Sequence, residues 1–394
     1  MKTKILLGLF VLGLVFASCK QDGLETVADD SNVSFTEQSV DGNFIVVFDN
    51  NQTNFKAPAD ASYVTKKQEV EEFSSTIMKE VGVKKSANLV YGAALKGISV
   101  QLTNDEVEKL KSNPNVKGVY PDKMVTLAKP GSDVTDPPAE VLPFGIARVG
   151  YANYTGSGKA WIIDTGIDYD HPDLNVNTSL AYLASTIRSK NGADDDNGHG
   201  THCAGTVAAI DNEIGVIGVA AGAEVVPVKV LDRRGSGAYS GILEGVDYVA
   251  STANPGDSAN LSLGGGAYTP IDEAVQALGE AGVFVAMAAG NESDDANNHS
   301  PARANGPNLY TVSAMDSSDV FAYFSNYGNP PVDYCAPGVS VYSTYKGGAY
   351  ATMSGTSMAS PHVCGLLLLT GGNLKTDGYV IGDPDGNPDP IAHK

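Results

Sequence analysis

The rhythm of apolar and polar residues changes as the chain is followed from its start. The run Asn43-Phe44-Ile45-Val46-Val47-Phe48 reads as a strand. Residues 64–81 place Val70, Phe73, Ile77 and Val81 at steps of three and four, which predicts a helix. Two β-rich runs follow, 87–94 and 97–102. Thr103 with Glu106 three residues on forms a capping box that opens a helix to about Ser112, and residues 116–120 are a last strand. The order βαββαβ predicts a small α+β, ferredoxin-like module over 42–128.

Residues 129–141 are rich in Pro, Asp and Ser and read as a linker. Beyond them short β-branched runs (160–163, 224–231, 260–263 and 283–288) alternate with helical segments near 200–210, 239–252, 270–281 and 357–370. That alternation predicts an α/β domain over 142–371, a parallel sheet with helices on both faces. Residues 372–394 read as an acidic, turn-rich and irregular tail. No internal repeat is evident.

The first 18 residues have the pattern of an export signal: Lys2 and Lys4, then an apolar run from Ile5 to Phe16 too short to span a bilayer comfortably. The run ends Phe16-Ala17-Ser18-Cys19, which resembles the lipobox of bacterial lipoproteins. The resemblance implies a lipidated Cys19, a polar tether over 19–41, and a location outside the cell or anchored to the envelope of a bacterium. A plain cleaved signal is the alternative.

Composition narrows the partners. A formal charge of −20 argues against nucleic acid as a partner, because binding its phosphates needs a basic face. Of four cysteines, the three besides Cys19 (Cys203, Cys335 and Cys364) cannot all pair, so this is no disulfide scaffold. A Cys335–Cys364 bond is left open.

Polar residues with chemical capacity fall where a parallel sheet places its ligands, beyond strand carboxyl ends. Asp164 ends the strand Trp161-Ile162-Ile163. His199 opens a helix after the acidic loop 194–198, and Asn291 follows the strand of 283–288. Ser357 starts an apolar helix whose free amides suit an anion. A serine needs a base, and the base needs an orienting carboxylate; Asp164, His199 and Ser357 supply that set.

The motifs Asn197-Gly198-His199-Gly200-Thr201-His202, Ala288-Ala289-Gly290-Asn291 and Gly355-Thr356-Ser357-Met358-Ala359 resemble the subtilisin-like serine proteases. Asn260-Leu261-Ser262-Leu263-Gly264-Gly265-Gly266, with Cys203 after the histidine pair, resembles the proteinase K branch. The resemblance implies a serine endopeptidase in which His199 is the base, Asp164 its orienter and Asn291 the oxyanion donor beside the Ser357 amide. It implies that Gly235, Ser236, Gly237 and Ser262, Leu263, Gly264 sandwich an extended polypeptide substrate. Ala288, Ala289 and Gly290 then wall an S1 pocket for apolar or aromatic P1 residues, P1 being the residue whose carbonyl is attacked. The 42–128 module resembles the inhibitor-type propeptide, with residues 124–128 in the cleft and self-cleavage near Ala128 or within 129–141. Asp333 with the carbonyls of Pro307 and Leu309 matches a calcium site of that branch. No cofactor is expected for catalysis, and a monomer is expected. The disulfide cysteines of the branch are missing; Tyr310 stands where one belongs.

Other readings carry less. His199 and His202 lack a third zinc ligand, and Gly156-Ser157-Gly158-Lys159 precedes its strand where a phosphate loop would follow one. His202, His171 and His362 are expected to be structural, and His299 and His393 to be surface residues. Cys203 and Cys364 are expected in the core. A catalytically inert binding protein and an esterase are the rival functions; the missing Gly-x-Ser-x-Gly elbow disfavours the second.

Overall fold

The computed structural model describes residues 38–50, 55–58, 60–127 and 133–394. The export signal, Cys19 and Ala128 lie outside the described residues.

In the N-terminal module β1 (Gln38–Phe48), β2 (Leu89–Tyr91), β3 (Gly97–Gln101) and β4 (Val116–Thr126) form an antiparallel sheet in the order β4-β1-β3-β2. Helices α1 (Tyr63–Glu80) and α2 (Asn104–Lys111) connect them, and Thr103 and Glu106 make the reciprocal capping box. The two-residue period of β1 divides its side chains. Val46 and Phe48 pack with Val70, Ile77 and Leu110 of the helices. Ile45 and Val47 face the other way, into a core shared with the second domain.

That domain is an α/β sandwich. Its strands are β5 (Asp133–Thr135), β6 (Lys159–Asp164), β7 (Glu224–Lys229), β8 (Ser236–Ala238), β9 (Ser258–Leu261), β10 (Phe284–Ala288), β11 (Leu309–Met315), β12 (Val332–Pro337), β13 (Val341–Tyr345), β14 (Ala349–Met353), β15 (Lys375–Tyr379) and β16 (Pro390–His393). Its helices are α3 (Phe144–Val149), α4 (His199–Ala208), α5 (Tyr239–Thr252), α6 (Thr269–Glu280) and α7 (Thr356–Thr370). The main sheet runs β15-β16-β12-β11-β10-β9-β6-β7, parallel except at β15. Alternation again sorts the layers. Trp161 and Ile163 meet α5 and α6 through Ile242, Val246, Ile271 and Val275. Ala160 and Ile162 meet α4 and α7 through Val207, Ala359 and Val363.

Three expectations need correction. Residues 38–41, read as tether, extend β1, with Gln38 and Ser39 opposite Met124 and Lys123. Backbone pairing needs no apolar side chains, so composition hid it. The linker is not free either: β5 pairs with β14, and Ala139 and Val141 bridge to Ile214 and Val216. The tail is ordered as β15 and β16, with Ile391 and Ala392 buried at the sheet edge. Cys203, Cys335 and Cys364 are buried free thiols.

Candidate active site

Asp164 is the last residue of β6 and fully buried; His199 is the first residue of α4. His199 Nδ1 lies 2.8 and 2.9 Å from the two Asp164 carboxylate oxygens. Burial, the largest single influence, works against a charged imidazole, but the Asp164 charge, the neighbouring Cys203 and their hydrogen bonds to the ring together hold the His199 pKa well above its ordinary value. With Nδ1 engaged by the acid, Nε2 is the nitrogen left for a proton from serine. Gly200 is where α4 meets the β6 turn: a Cβ there would stand 2.1 Å from the Gly166 carbonyl oxygen. Only glycine lets the helix bring His199 so close to Asp164.

Ser357 lies in the first turn of α7, and its hydroxyl donates to the Ser262 carbonyl at 3.3 Å. Gly355 precedes the helix at φ 152°, which positions the turn. Asn291 is fixed from one end. Its Oδ1 accepts from the Thr356 amide at 2.8 Å and the Thr356 hydroxyl at 3.0 Å, so Nδ2 is turned away as a donor. Beneath them, the Cys203 thiol donates to the Ser357 carbonyl at 3.4 Å, and burial pushes its pKa up. A buried thiol of that kind is a packing group, not a nucleophile.

The expected substrate-binding residues fall around this point. Leu263, Gly264, Ala288, Ala289 and Gly290 line one pocket with Ser357, of about 260 Å³ including its open mouth. Gly235, Ser236 and Gly237 hold a strand: Ser236, Gly237 and Ala238 pair antiparallel with Thr126, Val125 and Met124 of β4. The Leu127 amide then donates to the Gly235 carbonyl at 2.9 Å. The N-terminal module therefore ends as an added strand in the cleft, the arrangement of β-augmentation.

Sequence reasoning missed the residues that dock this module. The Asp247 carboxylate, on α5, accepts from the amides of Gly92, Ala93 and Ala94 at 2.8, 2.7 and 2.7 Å. Asp122, in β4, accepts from the Ser240 amide in the first turn of α5 at 3.1 Å. There the exposed amides and the helix dipole favour an acid. The Tyr91 hydroxyl donates to the Ser240 carbonyl at 3.0 Å. No local motif marks these residues, because each takes its role from a partner about 118 to 155 positions away.

Of the remaining expectations, Asp333 accepts the Thr311 amide at 2.8 Å, and burial pushes its pKa up to about 6. The donor, Thr311, stands two residues along β11 from Leu309, and a desolvated carboxylate with one neutral donor is of the type that suits a calcium ion. His202 is buried, with Nε2 3.1 Å from both the Val341 and Ala351 carbonyls, and burial pulls its pKa down to about 3. His171 and His362 bond to the carbonyls of Ala349 and Met358. His299 is corrected: it is not a surface residue but lines the pocket beside Ser357, its side chain 14% exposed.

A buried acid, a histidine and a helix-borne serine beside a strand-binding cleft define a serine peptidase of the α/β class. The comparisons carry this further. Residues 161–374 match the Subtilase family (Peptidase_S8), and residues 43–128 match Peptidase inhibitor I9. The chain is 40% identical over 294 residues to the alkaline serine protease ver112 of Corniculantispora psalliotae, covering 70% of this chain and 72% of that protein. It is 40% identical over 282 residues to subtilisin E of Bacillus subtilis (strain 168), covering 68% of each. The crystal structure of a cold adapted subtilisin-like serine proteinase matches with a TM-score of 0.54 at 36% identity, over 64% of this chain and 97% of that one. The chain belongs to the subtilase family: it is a subtilisin-like serine protease carrying an inhibitor-type propeptide, a zymogen.

Proposed function

We propose that this protein is an exported endopeptidase that hydrolyses peptide bonds through an acyl-enzyme on Ser357 and matures by cutting its own chain. His199 takes the serine proton and returns it to the leaving amine, and Asp164 holds the ring and stabilises the imidazolium. The Asn291 Nδ2 and the Ser357 amide receive the oxyanion. Gly235–Gly237 and Ser262–Gly264 hold the substrate as a strand between them, and the alanine and glycine walls favour apolar P1 side chains.

The observation that carries this reading is the bond from Leu127 to Gly235, because it seats the propeptide as a substrate would be seated. Leu127 occupies the position before P1, and the next residue in sequence is Ala128; maturation therefore falls at the Ala128–Lys129 bond. Calcium held by Asp333 and the carbonyls of Pro307 and Leu309 would cross-link the starts of β11 and β12. Cys19, following a signal-like run, would carry a lipid anchor to a bacterial envelope, and the enzyme acts as a monomer.

The test is intact mass and N-terminal sequencing of the exported protein beside Ser357→Ala. The proposal expects wild type beginning at Lys129 and a variant that keeps residues 42–128 attached. Identical trimming of both would assign the cut to another protease and remove the self-processing step.

A further inference from the structure

Strand β14 ends four residues before Ser357 and has two edges. One edge pairs with β13. The other takes β5, with Asp133, Val134 and Thr135 opposite Thr352, Ala351 and Tyr350. Counted from a cut after Ala128, those three are the fifth, sixth and seventh residues downstream, and their partners are the fifth, sixth and seventh residues before Ser357. The polarity fits as well. Because the pairing is antiparallel, the chain meets β14 at the end nearer Ser357 and runs away from the nucleophile as it leaves the cut. Leu127 is fixed at Gly235 and Asp133 at Thr352, and the six steps between them reach at most about 20 Å. Side chains do little to hold β5: Val134 is 49% exposed, and Thr135 is exposed with a hydroxyl contact to Tyr342 at 2.8 Å. Its hold is the backbone ladder, which any extended segment without proline can make.

We propose that the outer edge of β14 is a docking strand for the part of a polypeptide substrate downstream of the scissile bond, engaging its residues P5′ to P7′ by backbone pairing. This rests on the peptidase reading and on a cut at the Ala128–Lys129 bond. The precursor then shows the edge in use on its own chain, with β4 on β8 before the cut and β5 on β14 after it. The bond to be broken is gripped from both sides. After the cut β5 remains joined to the catalytic domain, where Ala139 and Val141 bridge to Ile214 and Val216. So short a tether keeps β5 at an effective concentration on the order of millimolar, and it competes with incoming substrate. When β5 is displaced, β14 presents an open row of N–H and C=O groups, a template for another strand. β5 is thus the first segment to use the edge and the occupant that a longer substrate has to displace.

The experiment compares matured wild type with the double variant Val134→Pro/Thr135→Pro, active sites being counted with a serine-directed fluorophosphonate and each N-terminus read by sequencing. Two successive prolines remove the ladder donor whichever of the two residues turns its N–H toward β14. Each enzyme cleaves two peptides of one sequence, the first ending at P2′ and the second extending to P8′. The measured quantity is kcat/KM for the long peptide over the short one. In wild type the edge is taken by β5. In the variant it is free, and the ratio is expected to be at least about fivefold higher, with the gain in KM. Equal ratios in the two enzymes overturn the proposal. A mature wild-type N-terminus at or beyond Asp133 does so too, because β5 would then not lie five to seven residues downstream of the cut. If the proline pair does not fold, Val134→Gly/Thr135→Gly, which weakens the strand and keeps both donors, is read in the same way. Failure of the peptidase reading looks different: the wild type would then neither titrate with the fluorophosphonate nor cleave either peptide.

Discussion

The Leu127 amide donates to the Gly235 carbonyl at 2.9 Å, and the side chain of Leu127 lies against the bare Cα of Gly235, where a Cβ would stand 3.1 Å from that of leucine. Gly235 also has φ 76°, a left-handed backbone conformation that L side chains adopt at a cost of about 1–2 kcal/mol. Gly235→Ala therefore strains the cleft edge and crowds the propeptide strand together. The expected result is slower appearance of the mature N-terminus, by about tenfold, measured as a time course of intact mass. Processing at the wild-type rate would show that the strand contact does not position the cut.

The dock on α5 should matter as much as the cleft. Asp247→Ala leaves the amides of Gly92, Ala93 and Ala94 buried without an acceptor, and each orphaned donor costs about 1–3 kcal/mol. Once the chain is cut, the variant's propeptide is expected to leave sooner. The lag before peptide hydrolysis should shorten at least about tenfold. A lag equal to wild type would place the inhibition wholly in the cleft strand.

These two residues show what the sequence could and could not tell. The catalytic side chains were legible because each sits at a strand end or helix start within a motif fixed by close backbone approach, as Gly200 shows against Gly166. The order βαββαβ was legible because α1 and the strands carry clean periods. Asp247 was not, since a single acid in a helix looks like solvated charge until the loop at 92–94 covers it. Strand β16 was hidden by turn residues: Pro384, Gly386 and Pro388 precede a four-residue run whose pairing depends on β15 and β12 lying on either side of it. His299 was not legible as a wall residue because nothing local marks it: its ring contacts with Glu292 and Asp294 are made only in the fold.

The calcium site proposed at Asp333 predicts a stability effect without an effect on the chemistry. A bound ion at about 100 times its Kd adds about 2.7 kcal/mol to the folded state. Chelation is expected to lower the melting temperature of wild type, and to leave that of Asp333→Ala unmoved. Melting curves with and without chelator check this. Equal shifts in both proteins would remove Asp333 from the ligand set.

Asp164 sets the pH dependence. It holds the His199 pKa above the ordinary histidine value, and the ion pair therefore stabilises the fold fully below that ordinary value and loses its contribution as pH rises through the raised one. Catalysis needs the opposite state, the neutral ring, so kcat/KM should climb along an acidic limb whose midpoint lies above about 6.5. Asp164→Asn removes the charge 2.8 Å from Nδ1 while keeping the shape. Two effects should appear together: the limb moves to lower pH, and kcat falls by about 10⁴, because the amide no longer selects the tautomer or stabilises the imidazolium. A pH profile of kcat/KM on one peptide substrate, taken for both proteins, separates the outcomes. If the limb stays in place while the rate falls, the group titrating in wild type is not His199, and the raised pKa is not what governs activity.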